Sequence, residues 1–468
     1  MTSSEPHETS NEDQRGADNE DIVADTPSAG TAILEDRLAS LERRFLEKNP
    51  ESKRIHAGAS RVMPGGNTRS VLHGVPFPIS FRTGAGVMLT SADGEQYIDC
   101  VSEYSAAMFG HSHPALQEAI QETLKDGFNL GGPNVYEAEL AKHLCLRFKS
   151  LELVRFCNSG TEANTMCLVA AMAYTGRKKV FPAYNMRFRT NTKLYQIMVF
   201  DNGYHGGTLS FHSRESPSNL PHDFVFGRLN DVHSTQMLMN EDVAAIIVEP
   251  MQGAGGLLPA TREFLLFLRE SATRVGAVLI FDEVMTSRLA FGGLQAHFGV
   301  YPDMTTVGKY LGGGFSFGAF GGKTEYMERF DPNSPKPISH SGTFNNNVFS
   351  MRVGLAAAKI LTEDAITKAN SLGDLLRDSL RSLARKERLH DITFTGMGSM
   401  VGLHFSGQHA DKIRRCVFLG LLEKRVYVGQ RGFIALNVCH EKAHIEIVLQ
   451  AFGEVFNSIA NCIEKFDH

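Results

Sequence analysis

The chain has 468 residues, a length that allows roughly two or three domains around a large buried core. Hydrophobic residues make up 42% of it and charged residues 21%, with a formal net charge of only −5. This balance argues against a nucleic-acid-binding protein, and no apolar stretch approaches the roughly 20 residues that cross a bilayer. We therefore expect no nucleic-acid partner and no membrane partner.

The seven cysteines are scattered along the chain and include no closely spaced CxxC pair. An odd number without such pairs argues against a disulfide framework and against a zinc site. The amino terminus also lacks the apolar core of a signal peptide. We expect no metal site and a reducing, cytoplasmic location.

Residues 1–30 hold eight acidic residues against one arginine, which predicts a disordered, solvated tail. From residue 32 the pattern changes to that of an amphipathic helix that stops near Pro50. Its apolar positions are Leu34, Leu38, Leu41 and Phe45. Two short strands around an Asp93–Gly94 turn are predicted within residues 82–100. We interpret 31–100 as an N-terminal segment.

The middle of the chain alternates between helix and strand. The predicted helices are 114–127, 135–148, 161–176 and 262–276, and the predicted strands are 153–158, 244–249 and 277–282. Helices of this length between strands imply right-handed crossovers and a mainly parallel sheet covered on both faces. We interpret 101–345 as a large domain and 346–468, which opens with a helix near 349–361, as a smaller mixed α+β domain.

Two segments carry the strongest chemical signal. Residues 278–288, VLIFDEVMTSR, have the form of a buried parallel strand that delivers Asp282 to the carboxyl edge of the sheet. Residues 304–322 place Lys309 just before three glycines. A carboxylate that keeps a pyridine nitrogen protonated and a lysine that forms a Schiff base are what pyridoxal phosphate chemistry requires. Alone, Asp282 could also cap a helix, and Lys309 could be a solvated loop residue.

Other segments supply groups suited to the same cofactor. Ser159, Gly160 and Thr161 lie between a strand and a helix, where backbone N–H groups and the helix dipole favour a phosphate. An ordinary Ser/Thr cap is the alternative. Tyr204 follows another strand, so its ring could stack on a flat cofactor, or it could be a core aromatic. Residues 341–348, SGTFNNNV, offer further hydroxyls and amides.

The ordered motifs PGGNTRSV, GHSHP, NSGTEAN, YHGG, VEPMQGAGG, FDEVMTSR, TTVGKYLGGG and SGTFNNN resemble the class III pyridoxal phosphate aminotransferases of fold type I. Within them, the chain resembles the branch of glutamate-1-semialdehyde aminomutase and the β-phenylalanine (β-amino acid) aminotransferases. The likeness runs from about Arg54 to the carboxyl terminus. It implies an α/β fold, in which a large domain with a mainly parallel sheet covered by helices joins a smaller α+β domain built from both chain ends.

The resemblance also implies roles for particular residues. Lys309 would bind the cofactor covalently and then move a proton, and Asp282 would keep the pyridine nitrogen cationic. Val284 and Tyr204 would cover the two faces of the ring. The remaining positions are Ser159, Gly160 and Thr161 for the phosphate, His205 and Glu249 in support, and Thr343 for the phosphate of the neighbouring subunit. The last of these implies an obligate homodimer with shared active sites.

Two arginines are implied to bind substrate carboxylates, which a guanidinium holds in bidentate fashion. Arg69 matches the arginine for the donor carboxylate, and Arg431 matches a mobile arginine for a dicarboxylic acceptor; each could instead form a structural salt bridge. A second arginine favours transamination from a β-amino acid with an apolar or aryl side chain to 2-oxoglutarate or pyruvate. The alternative is an aminomutase. Loops 128–133 and 291–292 differ from the related enzymes, which leaves the preferred side chain open.

Residues 180–196, VFPAYNMRFRTNTKLYQ, have no counterpart in the family and interrupt an expected strand. We interpret them as a translated intron of 51 nucleotides. Val180 requires GTN, Gln196 can be CAG, and Thr190–Asn191 can be ACTAAC, so a donor, a branch point and an acceptor fall in order. The chain would then be an inactive product. A functional surface loop is the alternative.

Overall fold

Helices and strands alternate through residues 29–177 and 195–463, which are the residues that this computed structural model describes. The helices are α1 (Ala29–Lys48), α2 (Pro50–Ala59), α3 (Pro114–Asp126), α4 (Val135–Arg147), α5 (Gly160–Thr175), α6 (Val232–Leu238), α7 (Arg262–Val275), α8 (Gly293–Phe298), α9 (Thr324–Met327), α10 (Val348–Ile360), α11 (Glu363–Lys386), α12 (Ala410–Glu423) and α13 (Lys442–Ile463). None of these helices combines the length and the apolar character that a bilayer span requires.

The strands are distributed over four sheets. They are β1 (Phe81–Ala85), β2 (Met88–Ser91), β3 (Gln96–Asp99), β4 (Leu153–Cys157), β5 (Gln196–Phe200), β6 (Phe224–Gly227), β7 (Val243–Val248), β8 (Met251–Gln252), β9 (Leu258–Pro259), β10 (Val278–Asp282), β11 (Met304–Gly308), β12 (Gly318–Gly322), β13 (Ile392–Met397), β14 (Met400–Phe405), β15 (Val426–Tyr427) and β16 (Phe433–Ala435).

A seven-stranded sheet, in the order β4-β12-β11-β10-β7-β5-β6, forms the centre of the larger unit. Its strands run parallel except β12, which is antiparallel to both β11 and β4. Every residue of β7 and β10 is buried, as expected of strands covered on both faces. The predicted α/β fold with a mainly parallel sheet is therefore confirmed.

The parallel strands bring their carboxyl ends to one edge of this sheet. Five of the six parallel strands end at Cys157, Phe200, Val248, Asp282 and Gly308, and the sixth, β6, ends at Gly227. In open α/β sheets, ligands bind in the crevice outside this edge. The segments that follow the five strands contain most of the residues that the sequence predicted for the cofactor.

A smaller unit is built from both ends of the chain, as predicted. Strand β15, from the carboxyl-terminal region, pairs in parallel with β3 and completes the four-stranded sheet β1-β2-β3-β15. Helix α1 packs against α12 and α13, and its predicted apolar residues are all buried in their shared core: Leu34, Leu38, Leu41 and Phe45. The 3.6-residue period therefore identified the core-facing side of α1 correctly.

Several boundaries differ from the predictions. Helix α1 ends at Lys48, close to the predicted stop at Pro50, but Pro50 also opens a second helix, α2, that was not predicted; a proline at the first helical position loses no hydrogen bond that the helix needs. Residues 82–100 contain parts of three strands rather than two. The turn at Gly94, with φ of 85°, joins β2 to β3. The glycine-rich strand β12 was not predicted, since its residues lack the β-branched and aromatic pattern of a typical strand.

Two predicted segments fall largely outside the described residues. Of the predicted tail, residues 1–28 lie outside them, whereas Ala29 and Gly30 already belong to α1. Of the predicted intron product, residues 180–194 lie outside them. Its last two residues are described. Tyr195 is buried, and Gln196 is the first residue of β5, so the fold uses the end of this segment.

Candidate active site

Asp282 is a buried carboxylate, and its hydrogen-bond partners fix it in position. Its Oδ2 accepts from Nδ2 of Asn164 at 2.8 Å and lies 2.9 Å from Nδ1 of His205. Its Oδ1 accepts from the backbone N–H of Val284 at 3.0 Å and lies 3.4 Å from the hydroxyl oxygen of Thr306. These contacts hold the carboxylate at the sheet edge, where it could pair with a cationic ring nitrogen.

Lys309 lies immediately after β11. This strand is the neighbour of β10, which ends at Asp282. The φ of Lys309, 55°, is in the left-handed region, which a residue with a side chain adopts at a cost of about 1 kcal/mol or more. Burial lowers the pKa of the Lys309 amine to about 8, with Asp282 and Glu249 opposing the shift and Arg288 and Arg69 adding to it. About one tenth of the amine is therefore neutral at pH 7, and this fraction can accept a proton.

Glu249 follows β7 and is buried close to the same groups. Its two carboxylate oxygens accept from the backbone N–H groups of Tyr204 and Gly253, each at 2.9 Å. Burial is the main reason that its pKa rises to about 7; His205 opposes the rise and Asp282 adds to it. Nε2 of His205 has no hydrogen-bond partner among the described residues. The contact with Tyr204 anchors the loop that follows β5.

The amino terminus of α5 is suited to a phosphate. Ser159 caps this 16-residue helix by accepting from the N–H of Glu162 at 3.2 Å, which leaves the N–H groups of Gly160 and Thr161 without intrahelical partners. A Cβ at Gly206 would lie 2.1 Å from the Thr161 hydroxyl, and its φ is 120°. Only glycine therefore lets the loop approach the helix start this closely.

The residues predicted to cover the cofactor ring lie at the same sheet edge. Tyr204 is four residues beyond the end of β5, and its side chain is 43% exposed, so its ring is open to a ligand. Val284 lies just beyond β10 rather than within it. A Cβ at Gly160 would be 2.8 Å from the Val284 side chain, so this valine packs directly against the start of α5.

Arg69 and Arg431 both lie close to an aromatic residue that the sequence did not identify, Tyr104. The guanidinium of Arg69 is 5.5 Å from the centre of the Tyr104 ring and forms an ion pair with Glu103. Burial raises the pKa of the Tyr104 hydroxyl, and both Arg69 and Arg431 oppose the rise. Arg69 also contributes to lowering the pKa of Lys309, so this arginine belongs to the surroundings of the lysine.

Thr343 is not brought into this site. It is exposed in the loop that precedes α10, and within the described part of the chain no hydrogen bond joins it to the residues around Lys309. Asn345, two residues later, accepts from Nδ2 of Asn158 at 2.9 Å, next to the start of α5. The loop therefore runs close to the phosphate-binding helix while the Thr343 side chain remains free.

The geometry agrees with the comparison to known families. The model of the family described as Aminotransferase class-III matches residues 71–456. The chain is a class III aminotransferase. The match includes both structural units and every residue predicted to hold the cofactor, and it leaves out Arg69, which lies two residues before its start.

Individual relatives of the aminotransferase cover nearly its whole length. Beta-phenylalanine transaminase from Variovorax paradoxus is 42% identical over 436 residues, which span 90% of this chain and 96% of that protein. Its crystal structure superimposes with a TM-score of 0.83 over 90% of this chain and 97% of that one. Glutamate-1-semialdehyde 2,1-aminomutase from Methanothermobacter thermautotrophicus is 34% identical over 440 residues, 88% of this chain and 100% of that protein.

The aminotransferase is a pyridoxal phosphate-dependent transaminase of fold type I. A solved transaminase with the cofactor bound is 30% identical to it, with a TM-score of 0.80 over 88% of this chain and 98% of that one. The residues present fit this cofactor. The site combines an amine that no side chain hydrogen-bonds in the described structure, a buried carboxylate held by three donors and an open helix amino terminus.

Asn164 and Thr306 support the site but were not singled out from the sequence. Asn164 donates to Asp282 and accepts from the Thr306 hydroxyl at 2.7 Å. Asn164 stands one helical turn after Gly160 within the quoted NSGTEAN motif, so its spacing was the available signal. Thr306 pairs with Asp282 in the β10–β11 register, and this pairing depends on the order of the strands.

Proposed function

We propose that the aminotransferase moves the amino group of a β-amino acid with an apolar or aryl side chain to 2-oxoglutarate or pyruvate. The observation that carries this proposal is the position of Arg69, which lies over Tyr104 and close enough to Lys309 to affect its pKa. A guanidinium there would bind the donor carboxylate and leave the amino-bearing carbon near the lysine. The 42% identity to a beta-phenylalanine transaminase supports the choice of donor.

The residues around the sheet edge divide the chemistry between them. Lys309 would bind the cofactor covalently and, once displaced by substrate, would move the proton at the amino-bearing carbon through its Nζ. Asp282 would keep the pyridine nitrogen cationic, with His205 and Glu249 in support. When bound, the cofactor supplies an electron sink for the electron pair that the departing proton leaves on the substrate carbon.

The rest of the site would orient the cofactor. Ser159, Gly160 and Thr161 would bind its phosphate at the start of α5, while Tyr204 and Val284 would cover the faces of its ring. Thr343 would reach the phosphate of a neighbouring subunit, which makes the active enzyme a homodimer with shared active sites. The exposure of Thr343 in a single chain supports this arrangement.

We also propose a cytoplasmic location. The seven cysteines, all of which are described, form no disulfide with one another. Five of them are buried, and burial raises the pKa of the Cys100 thiol above its usual range. Thiols that form no disulfide, in a chain of this length, are typical of a reducing compartment.

The two arginines are expected to serve different half-reactions. Arg69→Ala should raise the KM for β-phenylalanine, whereas Arg431→Ala should raise the KM for 2-oxoglutarate more than that for pyruvate, which lacks the second carboxylate. Losing a charge-assisted hydrogen bond costs about 1.5–3 kcal/mol, or roughly 10- to 100-fold. Steady-state kinetics with each donor and acceptor measure the division. Arg425→Ala, which removes an exposed ion pair with Glu95, is the matched control.

Parallel losses for every substrate in the two variants would contradict the division of roles. The same assays test the second candidate function, the aminomutase, which is favoured by the 34% identity to the archaeal enzyme. Efficient isomerisation of glutamate-1-semialdehyde without an acceptor, together with no turnover of β-phenylalanine, would replace the transaminase proposal with the aminomutase.

The segment 180–196 gives an independent prediction. If it is a translated intron, most mature transcripts lack its 51 nucleotides, and deleting these residues from the protein raises soluble yield and cofactor occupancy. After the deletion, Lys179 is joined directly to Ile197. Lys178 and Lys179 then precede β5 at the two positions that Tyr195 and Gln196 occupy in the full chain. Tyr195 is only 6% exposed, and its hydroxyl lies 3.1 Å from Nδ1 of His222.

A second deletion provides the control. Removing residues 178–194 also shortens the chain by 17 residues but keeps Tyr195 and Gln196. Higher yield and occupancy for the 180–196 deletion support the intron. Transcripts that all retain the codons, or a full-length protein at least as active as both deletions, would identify the segment as a loop that the fold uses, and the hypothesis of an inactive product would then be wrong.

A further inference from the structure

Arg288 is a buried cation without an anionic partner. Its side chain is 0% exposed, and within the described residues no carboxylate forms an ion pair with it. Burial lowers the pKa of its guanidinium to about 10, so it remains charged at neutral pH. Burying an unpaired charge costs several kcal/mol. The hydrogen bonds that Arg288 makes therefore indicate why the fold keeps a charged side chain at this buried position.

Arg288 joins two segments that are far apart in the sequence. Its Nη1 donates to the backbone oxygen of Ser105 at 3.3 Å, and its Nη2 donates to the backbone oxygen of Leu436. Ser105 lies in the N-terminal part of the chain and Leu436 in the C-terminal part, whereas Arg288 itself follows β10 in the larger unit. The planar fork of a guanidinium can span two carbonyl groups in this way.

Ser105 ends a run of four residues in the left-handed region. The φ angles are 47° at Ser102, 51° at Glu103, 50° at Tyr104 and 77° at Ser105. Each of these conformations costs about 1–2 kcal/mol for a residue with a side chain, so the turn needs contacts from outside to persist. We call residues 102–105 the left-handed turn.

Both ends of the left-handed turn are held. At its start, Oδ1 of Asp99 accepts from the N–H groups of Val101 and Ser102 at 2.8 and 3.1 Å. Nδ2 of Asn437 donates to the Ser102 hydroxyl at 3.0 Å. At its end, Arg288 supplies a side-chain contact to the backbone of the turn.

The left-handed turn in turn positions Arg69. Glu103 forms the ion pair with Arg69, and the Tyr104 ring lies under the Arg69 guanidinium. The Tyr104 hydroxyl donates to the backbone oxygen of Val71 at 3.2 Å, two residues after Arg69, and its ring packs 5.3 Å from that of Phe433. The turn thus fixes both the side chain of Arg69 and the backbone beside it.

We propose that Arg288 is a positioning residue for the donor site: by joining the left-handed turn to the C-terminal segment, it fixes Glu103 and Tyr104 so that Arg69 is oriented for the donor carboxylate. This inference rests on the proposed function, in which Arg69 binds the donor. Arg288 touches no reacting atom. Its removal therefore changes how well the donor carboxylate is bound, and it changes acceptor binding at Arg431 much less.

The test compares Arg288→Met and Arg288→Lys with the parent, all as holoenzymes. Methionine has a similar length and removes the unpaired buried charge, so the variant is expected to fold; lysine keeps the charge but cannot span two carbonyl groups. The probe is 3-phenylpropanoate, which has the carboxylate and ring of the aryl donor but no amino group. Calorimetry should give a dissociation constant at least tenfold higher in both variants, with the KM for 2-oxoglutarate changed less than threefold.

Arg177→Lys is the matched control. Arg177 also donates to two backbone oxygens, that of Val243 at the amino end of β7 and that of Val275 at the end of α7, and it does not contact the left-handed turn. A similar loss of thermal stability with parental affinity for the probe is expected, which separates positioning from general loosening of the core.

Three results would overturn the inference. They are parental affinity for 3-phenylpropanoate in a folded Arg288 variant, an equal loss of affinity in Arg177→Lys, or failure of both Arg288 variants to fold, which would make Arg288 structural. Failure of the proposed function has a different signature. In that case the parent itself would neither bind 3-phenylpropanoate nor transaminate β-phenylalanine.

Discussion

Lys309→Ala is expected to reduce transamination by at least about 10⁴-fold, the upper range of what general acid–base catalysis contributes. The variant loses both the amine that would bind the cofactor and the base that would move the substrate proton. Burial keeps the pKa of this amine near 8, so no exposed lysine, with an ordinary pKa near 10.4, can substitute for it at neutral pH. The dimer should still form and should retain cofactor noncovalently.

The measurement combines initial rates with reductive trapping of the Schiff base by borohydride, followed by mass spectrometry of the peptide that contains residue 309. Lys323→Ala is the matched control, because Lys323 lies just after the neighbouring strand β12 and pairs with Asp303 instead of facing the site. The control should keep its rate and its trapped peptide. Normal turnover in purified Lys309→Ala would refute the assignment of the lysine.

The location of the site could be predicted from the sequence, because it follows from the arrangement of parallel strands. Each buried strand ends at the same sheet edge, so the residues after it converge whatever lies between the strands. This reasoning placed Asp282 at the edge, whereas Lys309 was identified from the requirements of the cofactor chemistry and Glu249 from the family resemblance. The apolar period of α1 similarly predicted its buried face from Leu34 to Phe45.

Contacts between distant segments could not be predicted in this way. The ion pair between Arg69 and Glu103 spans 34 positions, and Arg288 contacts Ser105 across 183. No periodic pattern in the sequence near these residues indicates either contact. The left-handed turn was also hidden, because its residues are serine, glutamate and tyrosine, which rarely adopt positive φ and carry none of the glycine signal that marks such turns.

Strand β12 shows a different limit. Its sequence, GAFGG, has three glycines and reads as a loop by intrinsic preference. Its glycines are needed because a Cβ at Gly318 would lie 2.1 Å from the backbone oxygen of Ser159, and one at Gly321 would lie 2.3 Å from that of Leu153. Close packing against β4 and the phosphate-binding segment therefore requires glycines, and these glycines remove the sequence pattern by which a strand is predicted.

Asp282→Asn is expected to lower kcat by at least about 100-fold while the fold persists, a loss comparable to removing one preorganised electrostatic contact from an active site. The amide has nearly the shape of the carboxylate but no charge with which to keep a pyridine nitrogen cationic. It also places an NH₂ group among donors, since Asn164, His205 and Val284 all direct N–H groups at the two oxygens. Cofactor affinity should therefore fall together with kcat.

Asp303→Asn separates this electrostatic effect from the general cost of altering a buried aspartate. Asp303 is 2% exposed, accepts from the N–H of Leu279 at 2.9 Å and pairs with Arg269, but it lies at the amino end of β11, the opposite edge of the sheet. Thermal unfolding should show both variants destabilised, whereas kinetics and cofactor titration should find only Asp282→Asn impaired per folded molecule. A parental kcat in Asp282→Asn would mean that the ring nitrogen does not depend on this carboxylate.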